Sequence, residues 1–174
     1  MPTTKQSAIL CLATALFISG NAWADVDGDQ RHGRQGKQLR KEALINTEAP
    51  DFTNIFNWGL RIGNIKDLIL FAGHAAQTPD FQVVAPDDAV VQTDFILDQL
   101  DHFLNTNGLD RDNIIRIEFT LVNSVSDEEF GAILGRFAAY FAEVEVKPAA
   151  GTLRFVDRLA FPGLAVEYEI WMAQ

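Results

Sequence analysis

His74 follows a glycine that closes an apolar run, in the kind of loop where binding residues collect. Its imidazole titrates near neutral pH and could exchange a proton with a ligand; the competing reading is a solvated loop histidine. His102 lies four residues after Asp98, a helical spacing that puts two metal-ligand types on one face. Two ligands do not make a closed site, and a solvated helix face accounts for the pair equally well. Asp25-Val26-Asp27-Gly28-Asp29 has the opening of a calcium loop, but Gly36 stands where the twelfth-position glutamate is needed. Phosphate-loop, dinucleotide-fold and Ser-His-Asp signatures are absent. No metal and no cofactor are expected.

The elements that must position any such residues are legible from Phe52 onward. Ile55 to Ile62 reads as a strand, and Asp67 to Ala72 as a continuous apolar run of the central-strand kind. Ala75 to Pro86 reads as a loop. A helix is expected from about Asp88 to Asn105, with Val90, Leu97, Leu100 and Leu104 as its apolar stripe and Asn107-Gly108 as its stop. In the strand Ile114 to Val122, Ile115, Ile117, Phe119 and Leu121 point one way, and Arg116, Glu118 and Thr120 the other. Ser126 and Glu129 form a capping box before a second helix, whose stripe is Phe130, Ile133, Leu134, Phe137, Phe141 and Val144. Thr152 to Asp157 and Leu164 to Met172 are two closing strands.

The expected order is β-β-α-β-α-β-β, an α+β fold with a single-layer mixed sheet and two helices on one face. In the last strand, Val166, Tyr168, Ile170 and Met172 alternate with Glu167, Glu169 and Trp171. A face with two carboxylates and a tryptophan is a poor seat for a helix. It is a plausible seat for another subunit.

Upstream of the fold the chain has a different character. Met1 to Ser7 is polar with one Lys, Ala8 to Ser19 is apolar, and Ala22 and Ala24 are the small residues a signal peptidase reads. This is the layout of a secretory signal at residues 1–24, too short in its apolar run to span a bilayer. Cleavage would remove Cys11, the only cysteine, which suits an oxidising compartment. Residues 25–50 read as a polar linker, in which Gln38 to Ile45 could form a short helix. The folded domain is expected at residues 51–174. Without the leader the chain carries 13 Lys and Arg against 24 Asp and Glu, a net charge of −11. Such a surface repels phosphate backbones, so nucleic acid is not an expected partner, and neither is a membrane after cleavage.

From Phe56 to Ala173 the order of elements, together with several local sequences, resembles the Rid (reactive intermediate deaminase, YjgF-like) family. The local matches are Leu70-Phe71-Ala72-Gly73, Gln92-Thr93, the helix Phe130 to Phe141, Pro148-Ala149 and Glu167-Tyr168-Glu169. The resemblance implies a chorismate-mutase-like fold and a homotrimer with small-molecule clefts between subunits. It also implies hydrolysis of enamines or imines, with a last-strand glutamate placing the water and an arginine gripping the substrate carboxylate.

Carried onto this chain, the glutamate is Glu167 and the arginine position is Ala150. The cleft serine is Ala72, the second-helix asparagine is Leu134, and the glutamine after Gly73 is His74. Gly151 and Thr152 follow Ala150 in the same strand, and Trp58 is a loose match to the first-strand aromatic. Guanidinium can make two parallel charge-assisted bonds to a carboxylate and alanine makes none, so Ala150 weighs against the family's deaminase chemistry. Arg154 and Arg158 are the arginines on the same segment that could substitute, although Arg158 matches a structural position of the family. The acidic charge weighs against the RNA cleavage assigned to some relatives.

The sequence thus predicts an exported, periplasmic Rid-like protein that binds a small molecule between subunits. The alternative is a hydrolase of imine, enamine or related C–N bonds that uses Glu167 and a water.

Overall fold

A computed structural model describes residues 38–48 and 50–174. The expected signal peptide and most of the expected linker therefore lie outside the described residues. Within them, β1 (Arg40–Leu44) pairs with β2 (Gly59–Gly63) as an antiparallel ribbon. The main sheet runs β3 (Leu68–Leu70), β7 (Val166–Ala173), β5 (Ile114–Val122), β6 (Ala149–Val156), with β4 (His74–Ala75) also on β7. The β5–β6 pair is parallel and its crossover carries the second helix; the β7 pairings are antiparallel. The chain before β2 lies along the start of β6: Asn57 donates from its backbone to Pro148 and from its side chain to Lys147. This is the expected α+β architecture, with helices α1 (Ala89–Thr106) and α2 (Asp127–Tyr140) on one face.

Both helix ends obey local chemistry. The Asp88 carboxylate accepts from the Val91 N–H at the start of α1. At its end Gly108 takes φ +66°, and Leu109 donates back to the Leu104 carbonyl, the bond that closes a Schellman motif. Ser126 and Glu129 form the expected capping box of α2. Gly131 and Gly135 sit on the exposed side of α2, and a Cβ at either would meet nothing within 4 Å. Gly131→Ala and Gly135→Ala are each expected to stabilise the fold by about 0.5–1 kcal/mol in chemical denaturation.

The core is an aromatic cluster between helices and sheet. Phe137 packs against Phe119 at 4.9 Å and Tyr168 at 5.1 Å between ring centroids, with Phe56 and Phe141 beyond. Tyr168 is buried among them, and its hydroxyl shares a 2.6 Å hydrogen bond with Thr93. Burial pushes the Tyr168 phenol well above its ordinary range. Between the helices, Asp101 receives Tyr140 Oη at 2.6 Å and a fork from Arg111, whose guanidinium lies over the Tyr140 ring. Burial pushes the Asp101 carboxyl up, but the hydrogen bonds from Arg111 and Tyr140 outweigh it and hold the group below its ordinary value.

Four local expectations are corrected. Residues 38–45 contain a strand, not a helix, because β2 offers every residue from Arg40 to Leu44 a backbone partner. That strand also lies inside the expected linker. The apolar run at Asp67 to Ala72 is not a central strand; β3 pairs only with β7, and Leu68 and Leu70 are exposed. The expected loop after Gly73 begins later, because His74 and Ala75 pair with Tyr168 and Glu167. In β5, a register shift against β7 between Ile114 and Arg116 puts Ile114 rather than Ile115 in the main core cluster.

Candidate functional site

The sheet divides the expected site residues between its two faces. Glu167 sits on β7, opposite Thr120 of β5 and Ala75 of β4, and points to the face away from α1 and α2. Gly73 lies directly against it: a Cβ there would come within 2.8 Å of the Glu167 carboxyl carbon. The glycine thus leaves the space that the Glu167 side chain occupies. Among the described residues Glu167 makes no ion pair. Ala72 and Gly73 are exposed where β3 passes into β4. The pairing moves from Leu70–Trp171 to His74–Tyr168 there, so this edge carries one extra residue.

His74, Leu134 and Ala150 turn away from Glu167. His74 bonds Gln99 of α1 at 2.9 Å on the helix side, edge-on to the Phe71 ring. Leu134 and Ala150 both pack against the hydrophobic core. Ala150 pairs with Ile117, which pairs with Ile170, three residues along β7 from Glu167. With strands about 4.8 Å apart and about 3.3 Å per residue, Ala150 and Glu167 are roughly 14 Å apart, on opposite faces. A cavity of about 760 Å³ at the β1 end, lined by Lys41, Asn64, Asp112 and Glu145, contains none of these residues. In its wall Lys41 donates to the Val146 carbonyl at 2.7 Å, and burial pulls its ammonium below its ordinary value against the pull of Asp112 and Asp110. His102 and Asp98 are exposed on α1, and among the described residues no group of three His, Cys, Asp or Glu is placed to hold a metal.

A constellation that the sequence reading did not assemble, although it named Arg154, lies on the open face beside Gly151. Arg116 Nη2 donates to Glu118 Oε1 at 2.7 Å, and Arg154 Nη1 lies 2.8 Å from Glu118 Oε2. Glu118 is only 9% exposed, although it sits on the face away from α1 and α2. Burial pushes its carboxyl up, but Arg154 and Arg116 outweigh burial and hold it below 4.5. The Arg116 guanidinium stands 5.7 Å from the Trp171 ring centroid, and its Nε is buried without a partner. The signal was present in β5, where alternation puts Arg116 and Glu118 on one face. Their convergence with Arg154 depends on how β6 pairs. Arg158 lies beyond the end of β6 and is exposed.

Residues 46–174 match the family model described as Endoribonuclease L-PSP. Solved structures share the fold. The Rid-family protein YyfB of Yersinia pestis, of unknown function, is 22% identical with a TM-score of 0.67, covering 77% of this chain and 98% of its own. YyfA of the same organism is 20% identical with a TM-score of 0.53, covering 78% and 100%. Yeast Mmf1 is 16% identical with a TM-score of 0.51, covering 78% and 99%. No curated protein sequence matches significantly. With the family model spanning nearly all of the described fold, and Rid structures matching its architecture, this protein belongs to the Rid (YjgF, L-PSP) family.

Proposed function

We propose that this protein binds a small molecule in clefts between the subunits of a homotrimer, and that it lacks the family's deaminase activity. One observation carries the reading. Gly73 and Glu167 lie on one face of the sheet, and Ala150 and Leu134 on the other, so a single chain does not gather them. A cleft that uses both groups takes them from neighbouring copies. The open face suits such a neighbour: Leu68, Leu70 and Trp171 form its apolar end, and neither α1 nor α2 covers it. Ala150 presents a methyl group where a guanidinium would grip a carboxylate. The acidic charge disfavours nucleic acid as the ligand. The N-terminal sequence supports export to the periplasm.

A second reading is hydrolysis of an imine or enamine C–N bond. It is favoured by Glu167, a carboxylate with no ion-pair partner among the described residues, set beside a glycine at an open strand edge. The deciding experiment supplies amino-acid-derived imines, generated in situ by a pyridoxal-phosphate enzyme, to the purified protein and to Glu167→Gln. A rate equal to that in buffer, from protein that sediments as a trimer, is the expected result. A rate well above buffer that Glu167→Gln abolishes would establish the hydrolase instead. A monomer in sedimentation would overturn the inter-subunit cleft.

A further inference from the structure

We infer that Lys41, in the wall of the cavity at the β1 end, is a nucleophilic amine that forms a reversible imine with a small neutral hydroxyaldehyde. The cavity contains none of the residues assigned above to the cleft, so the inference stands apart from that reading.

The fold puts this amine where a charge is costly. β1 pairs Lys41 with Ile62 of β2, and the Lys41 side chain turns inward, only 7% exposed. Lys66, by contrast, is 79% exposed. An ammonium taken out of water needs a bonded carboxylate to offset the loss. Among the described residues none bonds Lys41: the Asp112 carboxylate stands 3.8 Å from Nζ, beyond hydrogen-bond length. The one bond that Nζ makes is to the Val146 carbonyl at 2.7 Å, and a neutral amine donates it as readily as an ammonium. The neutral form held there keeps its lone pair for a carbonyl carbon. Burial pulls the group below its ordinary value and outweighs Asp112 and Asp110, so more of the nucleophilic form is present near neutral pH than in an exposed lysine.

The walls select the carbonyl compound. Asp110, Asp112 and Glu145 stand against Arg40 and Lys41, a net negative lining that becomes more so when Lys41 is neutral. A keto acid or an aldehyde acid brings a charge of the same sign and is disfavoured. Asn64 and Gln38 offer amide groups to hydroxyls, and about 760 Å³ is ample for an aldehyde of a few carbons. The step balances without a further reactant. The Nζ lone pair attacks the aldehyde carbon, the C=O pair moves to oxygen, and a proton passes from nitrogen to that oxygen to give a carbinolamine. The hydroxyl then leaves as water with the second N–H proton, and the C=N bond forms. Asp112 is the carboxylate within reach to carry these protons.

The test is reductive trapping. The purified protein is incubated near neutral pH with glycolaldehyde and cyanoborohydride, which reduces an imine to a stable secondary amine, and the labelled lysines are located by peptide mass spectrometry. Lys41 is expected to label at least about tenfold faster than Lys66, against the order of exposure. In urea, where the cavity is lost, the two should label alike. With glyoxylate, an aldehyde of similar size that carries a carboxylate, the ratio of Lys41 to Lys66 labelling should fall about tenfold or more. Lys66 labelling first, or equally fast, in the folded protein would overturn the inference, and so would a Lys41 preference that survives in urea. An unchanged ratio with glyoxylate would overturn the choice of a neutral aldehyde. Every comparison is made on the wild-type chain, so none depends on a variant folding.

Discussion

Phe137→Ala is expected to cost about 3–5 kcal/mol of folding stability, among the largest losses that one side chain in this protein can produce. Phe137 is fully buried and touches the rings of Phe119, Tyr168, Phe56 and Phe141. Those partners come from β5, β7, the segment before β2 and the end of α2, so one ring ties the second helix to the centre of the sheet. Removing it forfeits the transfer energy of the ring. It also leaves a cavity that four other aromatic groups cannot close by small shifts. Guanidinium denaturation should show a lower midpoint at an unchanged slope, and a loss under about 1 kcal/mol would mean that the cluster repacks freely.

Gly151→Ala is expected to destabilise the fold by about 1–3 kcal/mol and to raise the pH of acid unfolding. The added methyl would lie 2.8 Å from the Ile117 carbonyl oxygen, which is backbone in the central strand and cannot step aside cheaply. It would also displace Glu118 from between its arginines. Glu118 is held below 4.5, so its pairing contributes stability above that pH and loses it as pH falls through the lower folded value. Loosening the pair brings the folded value back toward 4.5 and moves the acid transition upward. An acid titration by circular dichroism reads both effects, and a variant matching wild type at neutral and acid pH would show that the bulge accommodates a side chain. Gly73 is a different case, because the group it faces is the flexible end of Glu167 rather than backbone.

Which parts were legible before the structure follows from the range of the forces involved. The Ser126–Glu129 box, the Asn107-Gly108 stop and the alternation of Ile114 to Val122 are set by residues within a few positions of one another. Each appears in the fold where the sequence placed it, with the bulge near Ile115 as a local departure. The strand at Arg40–Leu44 was not legible, since its polar composition carries no strand period and only β2 gives its backbone a partner. The edge position of β3 was hidden for a related reason: an apolar run reads as buried, while Leu68 and Leu70 face the open side.

The site divides along the same line. Residue types at Glu167, Gly73 and Ala150 are matters of sequence, and so are the acidic charge, the two capped helices and the alternating face of the last strand. Tertiary pairing alone decided that Glu167 and Ala150 lie on opposite faces, and that Arg116, Glu118 and Arg154 meet. Those outcomes depend on strand register and on one extra residue at Gly151-Thr152, and a shift of one position turns a side chain from one face of a sheet to the other.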